Sequence, residues 1–241
     1  MPVPGCSCPA CCSKNPKDRR YRSAVYIEKD GRSLLIDTPA EFRIRAIEYK
    51  IKRVDAVLFT HAHSDHTAGL DDMRRFNELS GAPIPVMGDE KNLAEIKQRF
   101  SYIFKKTQEG GGKPRLILNS IRPFQEFNAA GISFTALPVM HGTLKIFGYR
   151  AGGFAYITDV SMIPEKTYRA LAGVDILVLD ALRKEKHPTH FNIEEAAAAA
   201  ARIGAKKTYF THIAHSVRHA ELEKMLPKNI RPAYDGLEIR I

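Results

Sequence analysis

The chain has 241 residues, 44% apolar and 27% charged, a balance that excludes wholesale disorder, collagen and coiled coil and leaves enough length for a buried core. No apolar run approaches the about 18–20 residues that a spanning helix needs, and the start lacks the apolar core of a secretory signal, so a cytoplasmic, membrane-free setting is expected. The 37 Lys and Arg against 27 Asp and Glu give a formal net charge of +10, which favours phosphates and polyanions as partners and says nothing of fold.

The four cysteines lie between Cys6 and Cys12 and cannot staple distant parts of a fold. A basic stretch, Lys14 to Arg22, follows. Ser23–Ile27 and Ser33–Asp37 read as strands, and the intervening Asp30-Gly31 is a hairpin signal. Residues 40–50 read as a helix and Val54–Thr60 as a buried strand. A helix over 68–80 stopping near Gly81, a short strand Pro85–Gly88, an amphipathic helix over 89–106 and a flexible break at Gly110-Gly111-Gly112 come next. Strands are expected at Leu116–Ile121, Ile132–Leu137, Ile146–Arg150, Phe154–Thr158 and Ile176–Leu179. Asn192 with Glu195 forms a capping-box pattern that opens an alanine-rich helix over 193–203, stopped by Gly204. A strand over 207–210, a helix over 216–225 and a last strand Gly236–Ile241 complete the chain. No repeat or linker interrupts the pattern. Hairpins early and strand–helix alternation later predict one α/β domain over 1–241, with sheets flanked by helices.

The strongest chemical signal is Thr60-His61-Ala62-His63-Ser64-Asp65-His66, directly after a buried strand. Alternate residues of an extended segment point to one side, so His61 and His63 converge. Asp65 and His66 sit where the chain turns into a helix. Three imidazoles and a carboxylate suit a borderline divalent metal such as zinc. His141, Asp159 and His212 each follow a β-run, at the strand ends where open α/β sheets place their sites. Singly, each would pass for a loop histidine or a cap. Together the seven would hold two metals, with an aspartate bridging.

These residues, in this order, resemble the metallo-β-lactamase superfamily, and more specifically the PhnP-type cyclic phosphodiesterases. That likeness includes Gly5–Cys11, Leu35-Ile36-Asp37, Leu137-Pro138, Phe147-Gly148-Tyr149, Pro164–Thr167, Thr211–His215 and Tyr234–Ile239. The resemblance implies an αββα sandwich of two mixed sheets. His61, His63 and His141 would hold one active-site metal, Asp65, His66 and His212 the other, and Asp159 would bridge. It also implies that Asp37 orients the ligand loop. The family opens with a strand and a Gly-Thr-Gly-type turn, whereas here Met1 falls almost at the cysteines, so either the chain is truncated or its start is set late, or the protein manages without the usual first strand. Cys6-x-Cys8-x2-Cys11 is too tight for a set of disulfides and suits three thiolates on one structural zinc. The family pattern supplies His215 as the fourth ligand. Redox chemistry is the weaker reading of the cluster, and Cys12 is left over as an inert thiol.

The implied activity is hydrolysis of a small phosphodiester, a cyclic phosphate or nucleotide, by a hydroxide held between two Zn or Mn ions, with the metals neutralising charge on the phosphoryl oxygens. His190 is the expected acid for the leaving group and Asp65 the second catalytic candidate. His187 and His219 read as surface residues. Arg99, Lys105, Lys106, Lys113 and Arg115, within 91–122, fit either a lid that meets a phosphate or a solvated helix and loop. The alternatives are a ribonuclease Z-like enzyme on RNA or DNA, which the charge encourages but which lacks room for a long protruding arm, and a PqqB-like protein of cofactor biosynthesis. A non-enzymatic zinc protein fits seven intact ligands poorly. The sequence leaves monomer and homodimer open.

Overall fold

The computed structural model describes residues 1–106 and 112–241. The chain divides into two compact units, Arg22–Phe134 and Met1–Tyr21 with Thr135–Ile241. Two mixed sheets flanked by helices make up the fold, as expected.

In the first unit, β1 (Val25–Lys29) and β2 (Arg32–Ile36) form the expected hairpin. Its turn, Asp30-Gly31, takes positive φ at both residues, the conformation a two-residue hairpin turn demands. β3 (Ala56–Leu58), β4 (Ile84–Gly88) and β5 (Leu116–Ser120) extend the sheet in parallel, in the order β1-β2-β3-β4-β5. The expected 40–50 helix is α1 (Phe42–Glu48). A one-turn helix, α2 (Ser64–Thr67), precedes the expected 68–80 helix, which is a 3-10 turn, Leu70–Asp72, followed by α3 (Met73–Ser80), closed by Gly81 in the left-handed region. The 89–106 helix is likewise two, α4 (Glu90–Arg99) and α5 (Ser101–Phe104), because Phe100 leaves helical geometry at φ −101°, ψ 39°. Leu35, Val57, Phe59, Val86, Phe42, Met73, Phe76 and Ile96 are buried together between sheet and helices. β6 (Glu126–Ala129), absent from the sequence reading, precedes β7 (Ile132–His141), which extends four residues past its expected end at Leu137. Gly110 and Gly111 of the predicted break lie outside the described residues.

In the second unit, β7 and β8 (Leu144–Ala151) pair antiparallel, with Leu137 opposite Gly148. β9 (Phe154–Ile157) runs antiparallel to β8 and parallel to β10 (Ile176–Asp180). β11 (Lys207–Thr211) and β12 (Ile230–Pro232) continue in parallel. The full sheet order is β12-β11-β10-β9-β8-β7-β6. All of β9, and β10 from Leu177 on, are buried, as expected of parallel strands covered on both faces. α6 (Glu165–Ala170) is an addition to the sequence reading. α7 (Ile193–Ile203) has its capping box, Asn192 and Glu195 each accepting the other's backbone N–H. α8 (His219–Met225) starts three residues later than expected. Ala196, Ala199 and Ala200 bury one face of α7 among Leu177, Leu179 and Phe210.

One expectation fails. Gly236–Ile241 is not a strand. Its apolar alternation is present, but β12 already pairs with β11, with Phe210 opposite Pro232, and residues 237–241 join no ladder. Ahead of β1, the described residues carry one 3-10 turn, Pro16–Asp18, and no strand.

Candidate functional site

In the first unit the candidate residues follow the C-terminal ends of β2 and β3. Asp37, directly after β2, is fully buried at φ +66°. A positive φ on a non-glycine residue persists only where the surroundings fix it. Asp37 accepts the Thr60 N–H at 2.9 Å, the Thr60 hydroxyl at 2.8 Å and His66 Nδ1 at 2.8 Å. A carboxylate can only accept, so His66 carries its proton on Nδ1 and presents Nε2 as its basic nitrogen. The Thr60 hydroxyl, donating to Asp37, receives His61 Nδ1 at 3.0 Å, which sets the same tautomer on His61. Burial pushes the Asp37 carboxyl above the ordinary range, and the His66 ring is the strongest group opposing it. The ring centroids of His63 and His66 lie 4.5 and 4.3 Å from that of His61. Asp65, in the first turn of α2, holds an oxygen 3.5 Å from His66 Nε2.

The loop backbone is held as tightly as its rings. Thr38 N–H donates to His66 O at 2.7 Å, and Gly69 N–H to Thr38 O at 2.8 Å. A Cβ on Gly69 would stand 2.3 Å from Pro39 O, so only glycine permits this approach. The Thr67 hydroxyl reaches His63 O at 3.0 Å, and Arg99 donates to Ala62 O. Arg99 therefore braces the loop that carries His61 to His66, which uses one of the cations that the lid reading assigned to a phosphate.

In the second unit, four strand ends contribute. His141 ends β7 and donates from Nδ1 to Thr189 O at 2.7 Å, again leaving Nε2 as the basic nitrogen. Asp159 and His212 lie just beyond β9 and β11, at φ +54° and +58°. His212 Nε2 is 3.5 Å from Asp159 Oδ2, and His190 Nε2 is 3.9 Å from the same oxygen. The His190 ring stacks on His212, centroids 4.9 Å apart, and meets His141 edge-on at 4.7 Å. Ligand-type atoms of His141, Asp159 and His190 lie within 4.8 Å of one another, as do those of Asp180, His190 and His212.

Asp180 escaped the sequence reading. It is fully buried at the end of β10 and accepts His190 Nδ1 at 2.8 Å and the Val160 N–H at 3.0 Å. Burial raises its carboxyl, and the His190 hydrogen bond is the strongest opposing effect. The signal was available, an acidic residue closing a buried strand as Asp159 follows one. Two histidines read as surface residues are not so placed. His219 is 2% exposed, its N–H on Asp18 at 2.7 Å and its ring against Tyr234. His187 is half-buried, its ring centroid 5.1 Å from that of His190.

The cysteines are all free thiols. Sγ of Cys6, Cys8 and Cys11 lie 3.3, 3.5 and 3.5 Å from His215 Nδ1. Bonds of about 2.3 Å to sulfur and 2.0–2.1 Å to nitrogen give a tetrahedral S···N edge of about 3.5 Å, so the four donors fit one tetrahedral metal. The Cys8 thiol is lowered to about 6 by the Cys11 N–H and then by the His215 ring, which favours the thiolate a metal binds. Cys12 is exposed and outside this cluster.

A model of the β-lactamase superfamily domain matches residues 32–213, and the chain belongs to that superfamily, with the metallo-β-lactamase fold. Within it the chain is similar to the PhnP family: a crystal structure of a new diphosphatase from that family is 39% identical at a TM-score of 0.93, covering 100% of this chain and 92% of that one. The octanoyltransferase of Porphyromonas gingivalis is 35% identical over 99% of this chain, which spans 48% of that protein's length. Ribonuclease Z of Pyrobaculum islandicum is 22% identical over 90% of this chain and 89% of its own. Among the described residues no helix is long and apolar enough to cross a membrane.

Proposed function

We propose that this protein is a cytoplasmic, dinuclear metal-dependent phosphodiesterase acting on a small phosphodiester such as a cyclic phosphate or nucleotide. By the family pattern, His61, His63 and His141 would hold one metal, Asp65, His66 and His212 the other, and Asp159 both. The donor chemistry suits this: His61, His66 and His141 each present Nε2 as the basic nitrogen, and the carboxylates offset two divalent charges. When bound, the metals supply Lewis-acid polarisation of the phosphoryl oxygens and activation of the attacking water. Cys6, Cys8, Cys11 and His215 would hold a structural zinc.

The observation that carries the reading is the buried Asp180–His190 pair beside Asp159. Asp180 fixes the proton on His190 Nδ1 and stabilises the imidazolium, so Nε2–H can protonate a departing alkoxide. Thr60 and Asp37 fix the rings of His61 and His66, so the chain's part in binding is done before substrate arrives. The net charge of +10 draws an anionic diester towards the protein.

Turnover of bis(p-nitrophenyl) phosphate, a 2′,3′-cyclic nucleotide and a nucleoside diphosphate, each with Mn²⁺ or Zn²⁺, tests the reading. Hydrolysis of either diester that is abolished in Asp159→Ala supports it; no turnover of either diester overturns it, whether or not the diphosphate is cleaved. The diphosphate is included because the PhnP-family relative is named a diphosphatase.

A second reading, cleavage of RNA, is favoured by the likeness to ribonuclease Z over most of both chains. It predicts a gel shift with RNA that weakens steeply with salt; no binding at low salt removes it. The acyl transfer named for the Porphyromonas protein belongs to a chain of which more than half lies outside the match.

A further inference from the structure

The seven residues 212–218 join β11 to α8 with no regular structure and carry both His212 and His215. His212 holds a left-handed φ of +58°, a conformation that persists in a non-glycine residue only when its surroundings over-determine it. The thiolate cluster grips this loop at His215 alone. On either side of that point the loop is held by a buried ion pair that the catalytic reading does not use. Asp18 and Arg20 are 2% and 6% exposed, with Arg20 Nη1 3.4 Å from Asp18 Oδ1. Arg20 Nη2 donates to Val217 O at 2.6 Å and to Ala214 O at 3.2 Å. Asp18 Oδ1 accepts the His219 N–H at 2.7 Å, and its Oδ2 accepts the Ser13 hydroxyl at 2.7 Å. The Ala214 N–H is tied to Leu182 O at 2.8 Å. The loop is therefore fixed at 214, 217 and 219 by groups independent of the cysteines.

We propose that Asp18 and Arg20 are positioning residues that hold His212 in its metal-binding conformation. Two buried charges cost desolvation, and such a pair is weak evidence for stability alone. The guanidinium, however, divides its contacts between two nitrogens, Nη1 facing Asp18 and Nη2 bonding both carbonyls, whereas a lysine would have to make all of them from one ammonium. The pair thus trades fold stability for one geometry of the 212–219 loop. This inference rests on the reading of His212 as a metal ligand.

The test measures metal affinity, with the double variant Asp18→Asn/Arg20→Met chosen so that no unpaired charge is buried, and with Arg20→Lys as the conservative partner. Purified holoprotein is titrated with a chelator while the three cluster cysteines are followed with a thiol reagent. In the double variant the cysteines should stay as protected as in the wild type. The weaker active-site metal should be lost at a chelator strength about tenfold lower, the size seen when the partner orienting a ligand is removed. Arg20→Lys should recover part of that loss. Unchanged affinity in both variants, with only a lower melting temperature, overturns the proposal and leaves the pair a structural brace. If the double variant does not fold, Arg20→Lys decides alone: a severalfold loss supports the proposal and no loss overturns it. A wild-type protein holding fewer than two active-site metals refutes the dinuclear reading, and the inference with it, before any substitution is made.

Discussion

The two units solve the same problem in opposite ways. The first presents His61, His63, Asp65 and His66 from one turn after β3, and braces it with Thr60 and Thr67 of the same segment and with Asp37 and Arg99, 29 and 37 positions from their partners. The second draws His141, Asp159, Asp180 and His212 from four strand ends, and holds them with contacts far apart in sequence, such as Thr189 on His141 and Arg20 on the loop after His212. A local motif can be rigid by local hydrogen bonding. A dispersed one depends on the whole unit, so distant changes should disturb it more.

The largest expected effect tests the second unit's chemistry. His190→Ala should lower kcat by about 10²–10⁴-fold, the usual worth of a positioned acid, while leaving metal content intact. Asp180→Asn should lose most of the same factor with His190 still present. A loss below about threefold in both, by steady-state kinetics, would break the pairing argument. The first unit is tested by Asp37→Ala, which should weaken active-site metal affinity about 10–100-fold, read by chelator competition. Gly69→Ala pushes a Cβ against Pro39 O and should cost about 1–3 kcal/mol, measured by urea unfolding. An unchanged midpoint would mean that the loop is looser than its hydrogen bonds imply. In the second unit, Asn192→Ala removes the α7 cap and should cost about 1 kcal/mol in the same measurement.

The smallest effect is on pH. Burial, and then Lys17, lower the pKa of His219 below the ordinary histidine value. The unfolded chain then takes up protons first as pH falls below about 6.5, so stability declines on acidification from there until the lowered folded value is passed. His219→Phe should flatten that part of the profile, measured by urea midpoints between pH 7.5 and 5. An unaltered slope would assign it to other groups.

The same contrast explains what could be read from the sequence. The loop 60–66 was legible because its residues are contiguous and directly follow a buried strand. Asn192 with Glu195 was legible because a capping box is a local pattern. His141, Asp159 and His212 were read only as a series of strand ends, and their tautomers and backbone strain depend on partners far away in the chain. Asp180 was passed over because a carboxylate ending a strand looks like any cap until His190 is placed against it. His219 looked like a surface residue because the residue that caps its N–H, Asp18, lies 201 positions earlier. The alternation in 237–241 misled because alternation alone supplies no pairing partner, and these residues join no ladder.

Metal content tests the central claim most directly. Purified from cells grown with Zn²⁺ and Mn²⁺ and analysed by elemental mass spectrometry, the protein should carry about three metals per chain, two for the phosphodiesterase site and one for the thiolate cluster. Cys11→Ser should remove one of them and leave the other two. Fewer than two metals per chain in the wild-type protein would contradict the account.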